Sequence, residues 1–338
     1  MKYMLSFDNE NSSGKKNKLI LLALNKNGIV KHKIYLARDK GKADIEVDFP
    51  LETINDYDLS KIHKNIKFND IEKKVLKKAF KLSEEERKSL NISPKLKLIL
   101  EKLKELSLDK LKKNLIFDEN DVDNIVPAWG INTYDRSIFI AGPSGSGKSY
   151  YAKLIICADV KKRICLVFSK VGDDVSLNSI REQKAKCDGE SRFIQVELDS
   201  ENDLMNLPSA HDLNNDGDGT ICLFDDVDSF QKNMRIYLNE YRNSLLESGR
   251  HKNISVITTS HHLANWSGTK TPRAEAEYVV LFPSSNKYSA IQFLKTSMGI
   301  PRNKVKFYID QAMNDGRYIV AKLSAPNMII TSRSVFIL

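Results

Sequence analysis

The first part of the chain shows the apolar spacing of β-strands. Residues 18–24 are almost continuously apolar, residues 29–36 alternate between apolar and polar, and Asn25-Lys-Asn-Gly28 between them is a turn sequence. This pattern predicts a β-hairpin, because apolar runs separated by a short Asn/Gly turn pair as antiparallel strands. Residues 43–49 alternate in the same way and predict a third short strand.

The spacing of apolar residues becomes helical from Asn69 onwards. Ser83-Glu-Glu-Glu86 matches a capping box at the start of a second helix, and Pro94 opens a third helix. We therefore expect residues 1–120 to form a smaller α+β domain with an accessory role. Residues 121–135 are predicted to be a linker between this domain and the remainder of the chain.

Strand and helix patterns alternate from residue 136 to residue 338, which is typical of a parallel sheet with helical crossovers. The strands are predicted at residues 137–141, 164–168, 193–196, 220–224, 254–258 and 278–282. The helices are predicted at residues 148–158, 230–246, 288–296 and 305–313. Residues 317–323 and 327–336 predict two further strands, antiparallel at the sheet edge. The expected fold is an α/β domain with a mainly parallel central sheet flanked by helices.

The first of these strands runs into a glycine-rich sequence that fits the Walker A phosphate-loop pattern G-x-x-x-x-G-K-[ST] at every fixed position. In such a loop, backbone N–H groups surround phosphate oxygens at a helix N-terminus. The order of strand, loop and helix favours a P-loop NTPase over an ordinary Gly/Ser turn. The residues predicted to bind ATP are Gly142, Pro143, Ser144, Gly145, Ser146, Gly147, Lys148 and Ser149. Lys148 is expected to reach the β- and γ-phosphates, and the Ser149 hydroxyl to ligate Mg²⁺.

Two acidic residues follow the predicted strand 220–224, in the arrangement of a Walker B motif. We expect Asp225 to hold Mg²⁺, directly or through water, and Asp226 to polarise the attacking water as a general base. The motif alone is weak evidence, but here it follows a complete phosphate loop. The interval of 77 residues between Lys148 and Asp225 predicts an extra strand between the phosphate-loop strand and the acid-bearing strand.

Polar residues end the next predicted strand. Thr259, Ser260 and His261 lie at its C-terminal tip, where open α/β sheets bind their ligands. Ser260 and His261 are therefore candidates to sense the γ-phosphate or to fix the attacking water. The alternative is that His261 and His262 are ordinary loop histidines.

Arg250 lies immediately before the same strand. This position can let it reach the nucleotide of a neighbouring subunit and neutralise charge in the transition state. It is also compatible with a cation that interacts favourably with a helix C-terminus. The sequence leaves both interpretations open.

The composition limits the classes of protein that are possible. With 41% hydrophobic and 29% charged residues, the 338-residue chain can build two cored domains. No run approaches the ~18 apolar residues that span a bilayer, and residues 1–14 have no apolar signal core, so we expect an intracellular protein. Residues 1–120 hold 27 Lys and Arg against 19 Asp and Glu. This excess suits a phosphate-backbone partner and equally suits a solvated lysine-rich surface.

Taken together, the motifs resemble those of the DNA-packaging ATPases of large DNA viruses, of the poxvirus and giant-virus type, in the FtsK–HerA branch of P-loop ATPases. The matching segments are residues 142–149, 225–226, 249–255, 259–265, 271–273, 277 and 281–283. The resemblance implies an ATP-driven homo-oligomeric ring that moves double-stranded DNA into a capsid, with Arg250 acting in trans. It also implies a location in the host cytoplasm (viral factory) or the virion, with capsid or virion proteins as further partners. Asp226 stands where many members have Glu, and Ser260-His261 where a Gln is frequent.

Three functions remain in competition. The leading hypothesis is a hydrolase that couples ATP turnover to DNA translocation, for which Lys270 and Arg273, two cations in a Gly/Thr/Pro turn, are the candidate DNA or subunit contact. A small-molecule kinase is supported by the phosphate loop, but the long interval to the acids and the absence of a recognisable lid oppose it. The third is a non-hydrolysing nucleotide-binding virion or scaffold protein in which residues 1–120 are the working part.

Overall fold

A computed structural model describes residues 2–7, 17–39, 75, 93–94, 97, 114–128, 137–159, 163–171, 174–185, 192–196, 198, 201–214, 219–263 and 268–338. The third predicted strand, at 43–49, lies outside these residues. So do the helices predicted between residues 69 and 106, apart from Val75, Pro94 and Lys97, which are helical. None of the helices in the described ranges is long and apolar enough to cross a membrane.

The described residues form strands, α-helices and short 3₁₀ turns. The strands are β1 Lys2–Ser6, β2 Lys18–Leu24, β3 Val30–Asp39, β4 Asn114–Ile116, β5 Asn124–Pro127, β6 Ser137–Ala141, β7 Ile164–Ser169, β8 Phe193–Gln195, β9 Thr220–Asp225, β10 Ile254–Ser260, β11 Ala276–Leu281, β12 Ile319–Lys322, β13 Met328–Ile330 and β14 Ser334–Ile337. The α-helices are α1 Lys148–Cys157, α2 Val175–Ala185, α3 Glu201–Met205, α4 Lys232–Ser248, α5 Lys270–Ala274, α6 Lys287–Met298 and α7 Arg302–Asp315. Short 3₁₀ turns span Asp212–Asn214, Val227–Ser229 and Gly249–Lys252.

A small antiparallel sheet contains four strands in the order β1–β3–β2–β5. The predicted hairpin is confirmed as β2 and β3. Its turn forms because the Asn25 side chain accepts hydrogen bonds from the N–H groups of Asn27 and Ile29, and because Gly28 adopts a φ of 75° that favours glycine. The strand β1 was not predicted from the sequence.

A second sheet of ten strands has the order β4–β14–β13–β12–β11–β6–β10–β9–β7–β8. The six strands from β11 to β8 in this order are parallel, and the other four are antiparallel. The predicted α/β fold with a mainly parallel sheet is therefore confirmed. Strand β10 lies between β6 and β9, which confirms the extra strand predicted between the phosphate loop and the acids.

The two faces of the parallel sheet are covered by different elements. On β6, Ile138 and Ile140 belong to a core shared with α1 and the small sheet, whereas Phe139 and Ala141 pack with α6 and α7. Helix α4 covers this second face over β9 and β10. Because both faces are buried, the central strands are almost continuously apolar, and this made their positions predictable.

The C-terminal strands correct the prediction of a single strand over residues 327–336. Strands β13 and β14 form an antiparallel pair within this segment. The chain turns between them because the Asp315 carboxylate, at the end of α7, accepts hydrogen bonds from the Thr331 and Ser334 hydroxyls. The helices α2, α3 and α5 were also not predicted.

Two strands link the N-terminal part of the chain to the remainder. Strand β4 pairs with β14 at the edge of the large sheet, and β5 pairs with β2 in the small sheet. Ile125 and Val126 of β5 are fully buried, although they lie in the segment predicted as a linker. The predicted domain boundaries at residues 120 and 136 stay a prediction. The structure shows that the segment between them contains the buried strand β5.

Candidate nucleotide-binding site

The phosphate loop joins β6 to α1 at the carboxyl edge of the parallel sheet. Gly145 and Gly147 have φ values of 73° and 106°, a left-handed backbone that favours glycine. A Cβ atom on Gly142 would lie 2.5 Å from Ser146 Oγ and 2.8 Å from the ring of Phe282. Glycine is therefore required where the loop leaves β6. Pro143 and Ser144 belong to the outer part of the loop, and Ser144 is exposed.

Lys148 is the first residue of α1 and is 8% exposed. Its ammonium group donates to the carbonyl oxygens of Gly142 at 2.9 Å and Pro143 at 3.2 Å. Burial lowers the pKa of Lys148, and the nearby carboxylates Asp226 and Asp225 oppose this shift. The side chain thus lies within the phosphate loop, where it can exchange carbonyl oxygens for phosphate oxygens.

Asp225 ends β9 and is held by hydroxyl groups from three other elements. Its Oδ1 atom accepts from Thr259 Oγ1 at 2.8 Å and from Ser149 Oγ at 3.4 Å, and its Oδ2 atom accepts from Ser169 Oγ at 3.5 Å. Thr259 comes from the neighbouring strand β10, one residue beyond the pairing of Phe224 with Thr258. The register of the sheet therefore brings Asp225 and Thr259 together.

The oxygen atoms around Asp225 fit a hard divalent cation. Burial raises the pKa of the Asp225 carboxyl, and the hydrogen bond from Thr259 opposes the rise. A cation next to this carboxylate would favour its charged form. The carboxylate and the Ser149 hydroxyl supply the oxygen ligands that Mg²⁺ prefers beside substrate phosphates. The residues present therefore fit a Mg²⁺ ion.

Asp226 has a different environment from Asp225. Its Oδ2 atom lies 2.6 Å from His261 Nε2, and its backbone N–H donates to Thr259 Oγ1 at 2.9 Å. The other ring nitrogen of His261, Nδ1, is 3.5 Å from Lys148 Nζ. His261 thus connects the acid to the phosphate-loop lysine, which a solvated loop histidine would not do. Asp226 Oδ1 is buried and accepts no hydrogen bond from the described residues.

Ser260 contributes to the site mainly through its backbone. Its carbonyl accepts from the Gly142 N–H at 3.0 Å, whereas its hydroxyl donates to Asp228 at 3.3 Å and accepts from the His262 N–H at 3.1 Å. The hydroxyl is therefore engaged with the turn that follows the two acids. A role for Ser260 in sensing phosphate stays a prediction.

The structure does not bring Arg250, Lys270 and Arg273 to the phosphate loop of the same chain. Arg250 lies in the turn before β10, and the other two lie in α5 before β11. Both β10 and β11 are parallel to β6, so these residues lie at the amino edge of the sheet. The seven residues of β10 separate the backbone of Arg250 from the loop by ~23 Å.

Several residues around the site had no role assigned from the sequence. Ser169 ends β7 in the same way as Asp225 ends β9, and this shared position was a signal that could have found it. Phe282 packs against the phosphate loop, a contact that the sequence does not show.

Arg242 of α4 is 2% exposed and donates to the Gly268 carbonyl at 2.8 Å. Burial lowers the pKa of Arg242 to about 10.

Comparison with known proteins adds a relative from a virus. No family model matches the chain. The uncharacterised protein V3 of Sputnik virophage is 34% identical over 204 residues, which cover 58% of this chain and 74% of V3. The chain belongs to the V3 family. The phosphate loop, Asp225 and the Asp226–His261 pair described above are thus features of a V3-family protein.

Solved structures resemble this V3-family protein remotely. The genome-packaging NTPase B204 of Sulfolobus turreted icosahedral virus 2, in complex with sulfate, has a TM-score of 0.39 and 14% identity over 59% of this chain and 96% of B204. The pCW3 conjugation coupling protein TcpA has a TM-score of 0.38 and 12% identity over 65% of each chain. The KaiC-like protein PH0186 of Pyrococcus horikoshii has a TM-score of 0.32 and 13% identity over 46% of this chain and 81% of PH0186. The neighbours thus include a viral genome-packaging NTPase, and the likeness concerns the fold alone.

Proposed function

We propose that the protein is a Mg²⁺-dependent ATPase that moves double-stranded DNA, as a viral genome-packaging motor does. The observation that carries this proposal is the meeting of three groups at one edge of the sheet. The Lys148 ammonium lies 3.5 Å from the His261 ring of the Asp226–His261 pair, and the Thr259 hydroxyl links this pair to the Asp225 carboxylate, which accepts from Ser149. These are the parts that ATP hydrolysis by a P-loop enzyme requires.

The residues of the site divide the work of hydrolysis. Lys148 and the loop N–H groups bind the triphosphate and neutralise its charge. Ser149 and Asp225 hold Mg²⁺, which supplies further charge neutralisation. Asp226 takes a proton from the water that attacks the γ-phosphorus. His261 fixes the orientation of the Asp226 carboxylate through Oδ2, while none of the described residues donates to Oδ1.

The step from ATPase to DNA motor is supported by the motif resemblance and by the position of Arg250. Because Arg250 lies at the amino edge of the sheet, it can stabilise a transition state only in a neighbouring subunit. This favours a ring in which each site is completed by the next copy. Lys270 and Arg273 lie at the same edge and are proposed to contact DNA or the neighbouring subunit. Capsid or virion proteins are the further partners of such a motor, in the viral factory or the virion.

The test is ATP hydrolysis measured with and without long double-stranded DNA. We expect Mg²⁺-dependent turnover that DNA stimulates, and a loss of ~10²–10⁴-fold on Asp226→Ala, because a general base contributes about this factor. Asp212→Ala is the matched control, since this exposed carboxylate accepts hydrogen bonds from Ser209 and takes no part in the site.

Two outcomes would contradict the proposal. ATP binding without hydrolysis under either condition would favour the non-hydrolysing virion or scaffold protein. Transfer of the γ-phosphoryl group to a nucleoside or nucleotide would favour the kinase.

A further inference from the structure

The C-terminal segment carries a local excess of positive charge. Residues 276–338 hold eight Lys and Arg against three Asp and Glu, a net charge of +5, whereas residues 121–275 hold 18 against 22. Two of the three acids in the C-terminal segment, Glu277 and Asp315, are buried at 7% and 8% exposure. The third, Asp310, is half-exposed. The outer surface of this segment is therefore almost purely positive.

Most of this charge lies on the helix pair α6 and α7. The two helices are antiparallel and share a core that includes Phe293 and Ile309 against β6 and β11. Lys287 Nζ, at the start of α6, lies 3.9 Å from Asp310 Oδ1 in the second half of α7. This contact fixes which residues of the two helices lie opposite each other.

The helical period then places four cations along the line where α6 and α7 meet at the surface. Residues four apart share a helix face, so Lys306 and Arg302 continue the flank of α7 that begins at Asp310. On α6, the side that faces this flank of α7 extends from Lys287 to Lys295. Since the helices run in opposite directions, Lys295 falls opposite Arg302. The term α6–α7 seam denotes these residues, namely Lys287, Lys295, Arg302 and Lys306, all of which are exposed.

We propose that the α6–α7 seam binds the phosphate backbone of double-stranded DNA. From Lys287 to Lys295 the seam rises ~12 Å, a length over which double-stranded DNA carries about seven phosphate charges. Three of its four cations are lysines, which bind phosphate as point charges, and contacts to the phosphate backbone carry no direct sequence information. The contact is therefore independent of DNA sequence, as a motor requires. This proposal rests on the proposed function, because DNA is the partner in both.

An anionic lipid surface fits the seam less well than DNA does. Binding in a membrane interface needs a continuous apolar face beside the cations. The exposed apolar residues of this helix pair are Tyr288, Phe307 and Met313, which are 72%, 52% and 48% exposed. Tyr288 lies on α6, whereas Phe307 and Met313 lie on α7. Phe307 and Met313 are six positions apart on α7, so they do not share a helix face. The cations of the α6–α7 seam therefore lack the continuous apolar surface that binding in a membrane interface requires.

The test is the salt dependence of the affinity for long double-stranded DNA. The triple variant Lys295→Gln, Arg302→Gln and Lys306→Gln removes three exposed charges. We expect its affinity at about 0.15 M salt to fall at least ~10-fold, and the slope of log Kobs against log salt to lessen by ~2–3, because each phosphate contact contributes about 0.9 to the slope. The matched control removes three exposed lysines of the small sheet, through Lys26→Gln, Lys31→Gln and Lys33→Gln.

A second variant changes the binding in the opposite direction. Asp310→Asn removes the half-exposed acid beside the seam, which pairs with Lys287, and is expected to tighten DNA binding and steepen the salt slope. Misfolding cannot produce this gain. Melting temperatures of all variants provide the check on folding.

The outcomes separate the two proposals. If the wild-type protein binds DNA but the seam triple variant keeps the wild-type slope, or both triple variants lose affinity equally, the seam is excluded and the proposed function stands. If the wild-type protein binds no DNA with or without ATP, but binds anionic phosphatidylserine vesicles through the seam, both proposals are overturned.

Discussion

At the scale of single residues, two adjacent acids are given different tasks by their backbone. Asp225 ends β9 in extended conformation and is 6% exposed. Asp226 adopts a φ of 53°, a left-handed conformation that is uncommon outside glycine, although Asp tolerates it better than most residues. This turn of the backbone directs Asp226 to His261 and leaves Asp225 beside Ser149. One carboxylate can therefore hold the metal while the other acts on water.

Thr259 fixes both acids with one hydroxyl group. It donates to Asp225 Oδ1 and accepts from the Asp226 N–H. Thr259→Val keeps the shape but leaves the Asp226 N–H without its acceptor, at a cost of ~1–3 kcal/mol. We expect Mg²⁺ affinity and turnover to fall ~10–100-fold, as for other groups that orient metal ligands. Mg²⁺ titration of ATPase activity measures this effect.

Thr259→Ser is the matched control, because it retains the hydroxyl group. It is expected to stay close to wild type. A Val variant with the wild-type Mg²⁺ midpoint would show that the two hydrogen bonds have no part in metal binding.

At the scale of elements, α1 is anchored by a strand from outside the predicted P-loop domain. The Tyr151 hydroxyl, one turn after Lys148, donates to the carbonyl of Ile125 in β5 at 3.3 Å. Tyr318, before β12, accepts from the Ile125 N–H at 3.2 Å, and its ring packs edge-on against Tyr151 at 4.5 Å. Burial raises the pKa of both tyrosines, so both hydroxyls keep their protons. The small sheet thereby helps to position the phosphate-loop helix.

Tyr318→Phe tests this anchor. It deprives the buried Ile125 N–H of its acceptor, and we expect the free energy of unfolding to fall by ~1–3 kcal/mol. Urea unfolding followed by circular dichroism measures the change. Tyr288→Phe is the matched control, because that residue is 72% exposed. Equal midpoints for the two variants would mean that the anchor contributes nothing to stability.

At the scale of the whole molecule, the separation of Arg250 from its own phosphate loop predicts sites shared between subunits. Lys148→Ala and Arg250→Ala are each expected to abolish turnover. Mixed in equal amounts, they should recover about a quarter of wild-type activity, since this fraction of sites in a randomly mixed ring pairs an intact loop with an intact arginine.

Turnover of the mixed sample against each variant alone is the measurement. Its control is a mixture of Lys148→Ala with Asp226→Ala, whose lesions lie in the same site and cannot complement each other. Failure of the first mixture to exceed the second would exclude an arginine acting in trans.

The sequence by itself determined the features that depend on a run of consecutive residues, namely the motifs and the central strands. The phosphate loop at 142–149 and the acids at 225–226 each depend on a short local pattern, and the central strands are apolar because both of their faces are buried. The strand β10 was likewise predicted from its own apolar run, at residues 254–258. These motifs and strands can be recognised in one sequence because each depends only on residues that are neighbours along the chain.

The tertiary structure decided what distant segments do to one another. Thr259 meets Asp225 through the register of two strands, and Phe282 reaches the phosphate loop from the end of β11. Packing also joins β5 to α1 and sets the cations of α6 opposite those of α7. The contacts of Thr259 with Asp225 and of Tyr151 with Ile125 join residues 34 and 26 positions apart, and no local pattern encodes them. The positions of the phosphate loop and of the two acids were therefore predictable, while the contacts that support them and the charged surface of α6 and α7 depended on the fold.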